Sequence, residues 1–275
     1  MNKTQIALIS GSVLLIVLLL FANTKLPKTE VKAEMSGHAG KGSAGISAIV
    51  DEAVNSLDAA QKQTFEKQKE ALKTSTDKKA VFESIVGQWD SLRKPAVAAF
   101  YAEQEAIALP MEKTWSDAGN RYYAAGRFAK EGLEKRMLFG KAIECFEKTV
   151  EINPENVEAQ ISLGASYVEG SSDPMKGIGI LRDIEKTSDS NNVNLQLNFA
   201  FFSEKSGQWD KAISRFSKVL RIKPDFIEAY LHLADAYEQK GDKAKAVETL
   251  EKYLTLVKDD AVKTEVQNYI NKIKN

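Results

Sequence analysis

Residues 195–258 read LQLNFAFFSEKSGQWDKAISRFSKVLRIKPDFIEAYLHLADAYEQKGDKAKAVETLEKYLTLVK, and this stretch decides the fold. It holds two consecutive copies of one pattern. Gln196 to Pro224 supplies Phe199-Ala200, Ser203, Ala212, Phe216 and Pro224. Tyr230 to Lys258 supplies Leu233-Ala234, Tyr237, Ala246 and Leu250, with equivalent positions 34 residues apart. Tyr230, Leu233, Ala234 and Tyr237 recur at i, i+3, i+4 and i+7, one apolar stripe on one helix. Lys240-Gly241-Asp242 ends that helix, and Gly241 suits a left-handed C-cap position. A second helix carries Ala246, Val247, Leu250 and Leu254. The small Ala234 and Ala246 allow the two backbones to approach closely. In the first copy Pro224 cannot continue a helix, so it marks the turn into the next pair.

A 34-residue period on a W-x2-L-G-x2-Y…A-x3-F…P skeleton resembles the tetratricopeptide-repeat (TPR) family. The resemblance implies an all-α fold, a TPR-type helical solenoid whose first helices line a concave surface, and a protein or peptide partner held there. The positions flanking the packing stripe then map the partner-binding groove. They are Ile161, Ala165, Asn194, Leu197, Asn198, Phe201, Glu228, Leu231, His232 and Asp235. Some TPR domains hold the carboxylate end of a chaperone in a Lys/Asn/Arg clamp. Here the corresponding positions hold Glu228 and His232, so chaperone docking is not implied. An extended or helical apolar peptide of basic character fits better.

Upstream, Gly87-Gln88-Trp89-Asp90 echoes Gly207-Gln208-Trp209-Asp210. The echo makes 78–110 a degenerate repeat, with Gly87 to Asp90 as its turn, Pro95 in the first turn of its second helix and Pro110 closing it. Trp115-x2-Ala118-Gly119-x2-Tyr122 opens a unit over 111–156, completed by Ala142-x3-Phe146 and Pro154. Tyr122 to Ala142 is eleven residues longer than Tyr237 to Ala246, close to three helical turns. This unit should have long helices that project with Arg127, Phe128, Lys130, Leu133, Lys135, Arg136 and Met137, a candidate interaction surface. Units at 157–192, 193–226 and 227–260 follow, and 261–275 forms a capping helix. Asp173 caps the second helix of the 157–192 unit with Pro174 as its first residue, and Gly177 takes the place of the small alanine. Residues 46–77 form two amino-terminal helices, the second capped by Ser56.

Ile6 to Ala22 reads IALISGSVLLIVLLLFA, an uncharged run at the short end for a membrane span, with Lys3 before it and Lys25, Lys28 and Lys32 after it. It reads as a single transmembrane helix, the membrane being a partner through residues 6–22. The alternative is a signal peptide cleaved on export, though Leu20 before Ala22 spoils an A-x-A site. The basic flanks do not settle orientation. The short amino-terminal tail suits a bacterial inner-membrane anchor with the soluble domain in the periplasm. Residues 23–45, Lys-rich and then SGHAGKGSAG, read as a flexible linker.

Acids and bases balance at 38 each, which argues against nucleic acid as a partner. One cysteine, Cys145, and two histidines, His38 and His232, assemble neither an intrachain disulfide nor a Cys/His metal set. No cofactor or catalytic constellation is expected: the Gly177-Ile178-Gly179 run falls within a helix, and most carboxylates alternate with lysines on solvated faces. The reading is a membrane-anchored TPR scaffold or adaptor, not an enzyme. The alternative is an assembly factor or chaperone for exported or cofactor-bearing envelope proteins, by analogy with cytochrome maturation.

Overall fold

The computed structural model describes residues 42–130, 132–187 and 190–274, with side chains from residue 45 onward. The apolar run 6–22 and linker residues 23–41 lie outside the described residues. Among the described residues thirteen α-helices occur and no strand. None of these helices is long and apolar enough to cross a membrane. They fall into two compact units that divide at residues 190 and 191.

The first unit holds α1 (Gly42–Asn55), α2 (Ala59–Thr74), α3 (Lys78–Ser91), α4 (Pro95–Ala108), α5 (Glu112–Phe128), α6 (Leu133–Ile152), α7 (Val157–Gly170) and α8 (Pro174–Thr187). From α2 onward each helix packs on the next, and α1 lies across α4 and α6. The core runs from Ile46 and Phe65 through Ile85, Trp89 and Tyr122 to Leu138 and Phe146, all at most 1% exposed.

Two local readings are corrected here. Residues 42–45, read as the end of the linker, already belong to α1. The helix runs on through them because Ile46, Val50 and Ala53 form a buried stripe. Helix α2 is capped by Asp58, not Ser56. The Asp58 carboxylate accepts from the Gln61 amide at 2.8 Å, and the Gln61 side chain accepts from the Asp58 amide at 3.1 Å. This reciprocal capping box outcompetes Ser56, whose hydroxyl donates back to the Ala53 carbonyl.

The Gly87-to-Asp90 echo is in the wrong register. Gly87 lies inside α3, and Trp89 is fully buried two residues before the helix ends. The turn comes six residues later, at Arg93, whose φ of 55° is left-handed, as are Gly207 at 69° and Gly241 at 86°. The hydrogen bonds agree. Leu92, Arg93 and Lys94 amides donate to Gln88, Asp90 and Trp89 carbonyls. The amides of Ser206, Gly207 and Gln208, and of Lys240, Gly241 and Asp242, make the same three bonds. Equating Arg93 with Gly241 sets Trp89 opposite Tyr237 and Ala98 opposite Ala246. Val86 then takes the small position of Ala234, and Ala102 the large one of Leu250. The bulk has moved from the second helix to the first, so apolar volume is kept while the motif is lost.

Helices α5 and α6 run 17 and 20 residues, against 14 each for α7 and α8. The extension is packed, not simply solvated. Phe139 is fully buried between glycines: a Cβ on Gly126 would sit 3.2 Å from its ring, and one on Gly170 2.1 Å from its Cβ. On the other side α1 reaches Met137, whose Sδ would be 2.6 Å from a Cβ on Gly45. Met137 is therefore used by the chain itself. Further along, α7 and α8 cross at Gly164 and Gly177, where a Cβ on Gly177 would lie 2.3 Å from the Gly164 carbonyl oxygen.

The second unit holds α9 (Val193–Lys205), α10 (Trp209–Ile222), α11 (Ile227–Gln239), α12 (Lys243–Leu256) and α13 (Asp260–Lys274). Ala200, Ala212, Phe216, Val219 and Ala236 join α9, α10 and α11. Leu231, Leu250 and Tyr253 carry the packing on to Val262, Val266, Ile270 and Ile273 of α13, which covers the apolar end of the stack.

Three substitutions test this reading by urea unfolding. Arg93→Gly is expected to raise stability, and Gly241→Ala to lower it, by about 1 kcal/mol, because only the left-handed backbone is at issue. Gly177→Ala is expected to cost about 2 kcal/mol, since its Cβ meets backbone that cannot rotate away.

Candidate functional site

The ten groove positions fall into three classes. Ile161 and Ala165 of α7 are 1% and 2% exposed in the first unit, and Leu197 and Leu231 are 9% and 6% exposed in the second. These four are core, so their side chains are not free to touch a partner. The reason lies in helix geometry: a position one step off the packing stripe of its own pair still faces the neighbouring pair. Asn194 and Glu228 are exposed, and Asn198, Phe201, His232 and Asp235 are half-buried. In the second unit the available surface is thus built on α9 and α11.

Its floor is aromatic. The rings of Phe216 and His232 stack with centroids 5.4 Å apart and 13° between planes. Phe201 stands edge-on to both, 4.9 Å from His232 and 5.5 Å from Phe216. Such edge-to-face sets hold their members in one geometry. The rim is acidic. Glu204 lies one turn after Phe201, its Oε2 and Oε1 being 3.2 and 3.4 Å from His232 Nδ1. That is ion-pair distance for a protonated imidazole, yet the buried Oε2 accepts no hydrogen bond among the described residues. Asp235 accepts from the Gln239 side chain at 3.3 Å. Burial pushes its carboxyl above the usual aspartate range, and Glu204 and Glu238 push the same way against Gln239 and His232. Glu238 accepts from the Tyr269 hydroxyl of α13. Burial, the hydrogen bond to Glu238 and the charges of Glu238 and Asp235 raise that phenol well above its normal value.

Glu204 and Glu238 escaped the sequence reading. The signal was present: they are 34 residues apart, the same place in successive repeats, three residues beyond Phe201 and Asp235. An acid repeated at one repeat position on a half-buried face marks a surface built twice, unlike the Glu-Lys alternation of Glu251-Lys252.

The first unit contains a buried polar cluster at Glu103. Tyr122 donates to Glu103 at 2.6 Å and Lys141 donates to its other oxygen at 3.1 Å. Every charge here has a partner and Glu103 is only 7% exposed, so the cluster staples α4, α5 and α6 together. Cys145 is buried beside it, and burial and the Glu103 charge drive its thiol well above the ordinary range. A thiol so disfavoured as thiolate is inert. No group of three His, Cys, Asp or Glu residues suited to a metal ion occurs among the described residues.

Residues 204–264, from the end of α9 into the first turn of α13, match the tetratricopeptide-repeat family. No curated protein matches the chain. A tetratricopeptide repeat protein from Parabacteroides merdae superimposes with a TM-score of 0.52 at 17% identity, over 85% of this chain and 90% of that one. Its similarity shows that the helices are arranged as TPR pairs. Lower scores relate the chain to MamA (TM-score 0.46, 24% identity, 62% of this chain and 94% of that) and to YrrB, a TPR protein with an unusual peptide-binding site (0.42, 18%, 73% and 97%).

The raised carboxyl of Asp235 gives a test with a definite sign. A carboxyl whose folded value lies above the unfolded 3.8 penalises the folded state, fully at neutral pH and not at all below the unfolded value. Asp235→Asn keeps the acceptor oxygen for Gln239 and removes the charge. Its Tm is expected to exceed that of the wild type at pH 7, and the difference to close as pH falls below the ordinary aspartate value, as read by calorimetry across pH.

Proposed function

We propose that this chain is a membrane-tethered TPR scaffold that captures a basic, partly apolar peptide segment of a protein partner on the α9–α11 face. Residues 6–22 hold it in the bacterial inner membrane, with the helical units in the periplasm. The observation that carries the binding reading is Glu204 Oε2, a buried carboxylate oxygen that faces only the His232 imidazole, at 3.2 Å, and makes no geometric hydrogen bond among the described residues. Orphaned acceptors of this kind want a partner, and a lysine or arginine of the peptide supplies one. An apolar neighbour in the peptide covers Phe201, and Asp235 regains its normal ionisation beside the incoming cation. Acidic peptides meet the repulsion that already strains Asp235, and neutral ones bring no cation to relieve it.

A binding role without catalysis accords with the same residues. The aromatic floor is held by ring packing, and the one thiol is buried and inert. The tether is supported by the uncharged run 6–22 between flanking lysines. Confinement to a surface raises the effective concentration of a weak binder near membrane partners, so modest affinity suffices.

Titration of the full chain in detergent micelles with labelled Lys/Arg-apolar peptides tests this. Glu204→Gln combined with Asp235→Asn is expected to weaken binding by about tenfold or more, and added salt to weaken the wild type further. Equal binding of acidic counterparts, or a double variant that binds normally while staying folded, would refute the proposal.

A further inference from the structure

The end of the α5–α6 hairpin carries apolar side chains that the fold does not use. Phe128, at the end of α5, is 82% exposed, and Leu133, at the start of α6, is 74% exposed. One turn inward the picture reverses: Leu138 and Phe139 are almost wholly buried, and Met137 is packed. Nothing in the packing of the unit therefore requires Phe128 and Leu133 to be apolar. Arg127, Lys130, Lys135 and Arg136 surround them in sequence, against Glu131 and Glu134, leaving residues 127–136 with two net positive charges in a chain whose total is zero. Arg127, Lys130 and Arg136 are exposed. A large aromatic and a leucine at a projecting tip, ringed by long cationic side chains, suit the boundary of a bilayer. There the rings enter the acyl edge and the cations meet headgroup phosphates.

A second observation comes from where the rest of the chain joins. Gly45 of α1 lies against Met137, one turn from Leu133 on the same helix. Gly42, the first described residue, is three residues earlier, about 5 Å along the helix. Residues 23–41 separate it from the apolar run. Nineteen residues reach at most about 65 Å when fully extended. A bilayer holding residues 6–22 would thus lie within reach of the hairpin tip. At the far end of α6, Ile152 is about 28 Å away along the helix axis.

We infer that the α5–α6 tip, through Phe128, Leu133 and the cations Arg127, Lys130, Lys135 and Arg136, is a second membrane contact that docks on anionic lipid. It gives the first unit a contact with the bilayer of its own, in addition to the one made through residues 6–22. It gives a role to the eleven-residue extension that the peptide-binding face, on other helices, does not require.

The test uses the full chain reconstituted into vesicles whose phosphatidylglycerol carries brominated acyl chains, which quench nearby indoles. Phe128→Trp adds an indole at the tip and Ile152→Trp adds one at the far end of α6. Against the protein's own three tryptophans, the indole added by Phe128→Trp should be quenched and that added by Ile152→Trp should not. High salt, or Lys130→Glu with Arg136→Glu, should abolish the difference, as should brominated phosphatidylcholine vesicles. Equal quenching at both positions, no quenching at the tip, or quenching that ignores headgroup charge would each overturn the inference. A tip that docks on protein gives the second of these results. None of the variants touches Glu204 or Asp235, so the peptide-binding reading stands or falls separately.

Discussion

The structure depends on how closely the two helices of a pair can approach. At Gly164 and Gly177 the backbones nearly touch: a single added methyl would meet a carbonyl oxygen at 2.3 Å. Gly119 yields to the ring of Phe146, and Ala200, Ala212, Ala234 and Ala246 keep their positions small and buried. Close approach lets the large residue four places after the second small one, Phe146, Leu181, Phe216 or Leu250, fill the space between the helices. At Arg93, Gly207 and Gly241 a turn held by three backbone hydrogen bonds and one left-handed residue then sets the angle at which the next helix leaves. Because every pair solves the same steric problem, the chain repeats, and every position not consumed by packing is free for function.

The face on α9 and α11 is made from what is left over. Phe201 still packs edge-on and His232 still stacks on Phe216, and the acids beside them are held half out of water. Burying Glu204, Asp235 and Glu238 so close together works against the fold, as the raised Asp235 carboxyl records. Structural acids elsewhere behave differently: Glu103 is deeply buried but matched by Tyr122 and Lys141. The contrast between a buried acid matched by a lysine and half-buried acids that crowd one another beside an amide, a phenol and an imidazole separates a staple from a binding surface in this chain.

Where consensus residues are intact, the helical pairs could be read from spacing alone. Gly241 at the left-handed turn, Asp173 as a cap and Pro174 at the first helical position all follow from residue type. The register of the 78–110 unit could not be read so, because its turn is made by Arg93, a residue whose type does not announce a positive φ. A chance Gly87-Gln88-Trp89-Asp90 match drew the turn six residues early. The groove was half legible for a related reason. Repeat positions tell which side of a helix a residue occupies, not whether the next helix covers it, and Ile161, Ala165, Leu197 and Leu231 are covered. Glu204 and Glu238 were legible through their 34-residue spacing.

By itself the sequence determined that this chain forms helical pairs and that one pair is longer than the others. Periodicity and residue size are local properties, and they suffice for that. Only the tertiary structure decided that α1 folds back onto the extended hairpin, that bulk in the 78–110 unit passed from one helix to the other, and that three acids share one half-buried surface. Each of these depends on which side chains meet across helices, and that meeting is set by packing between residues far apart in the chain.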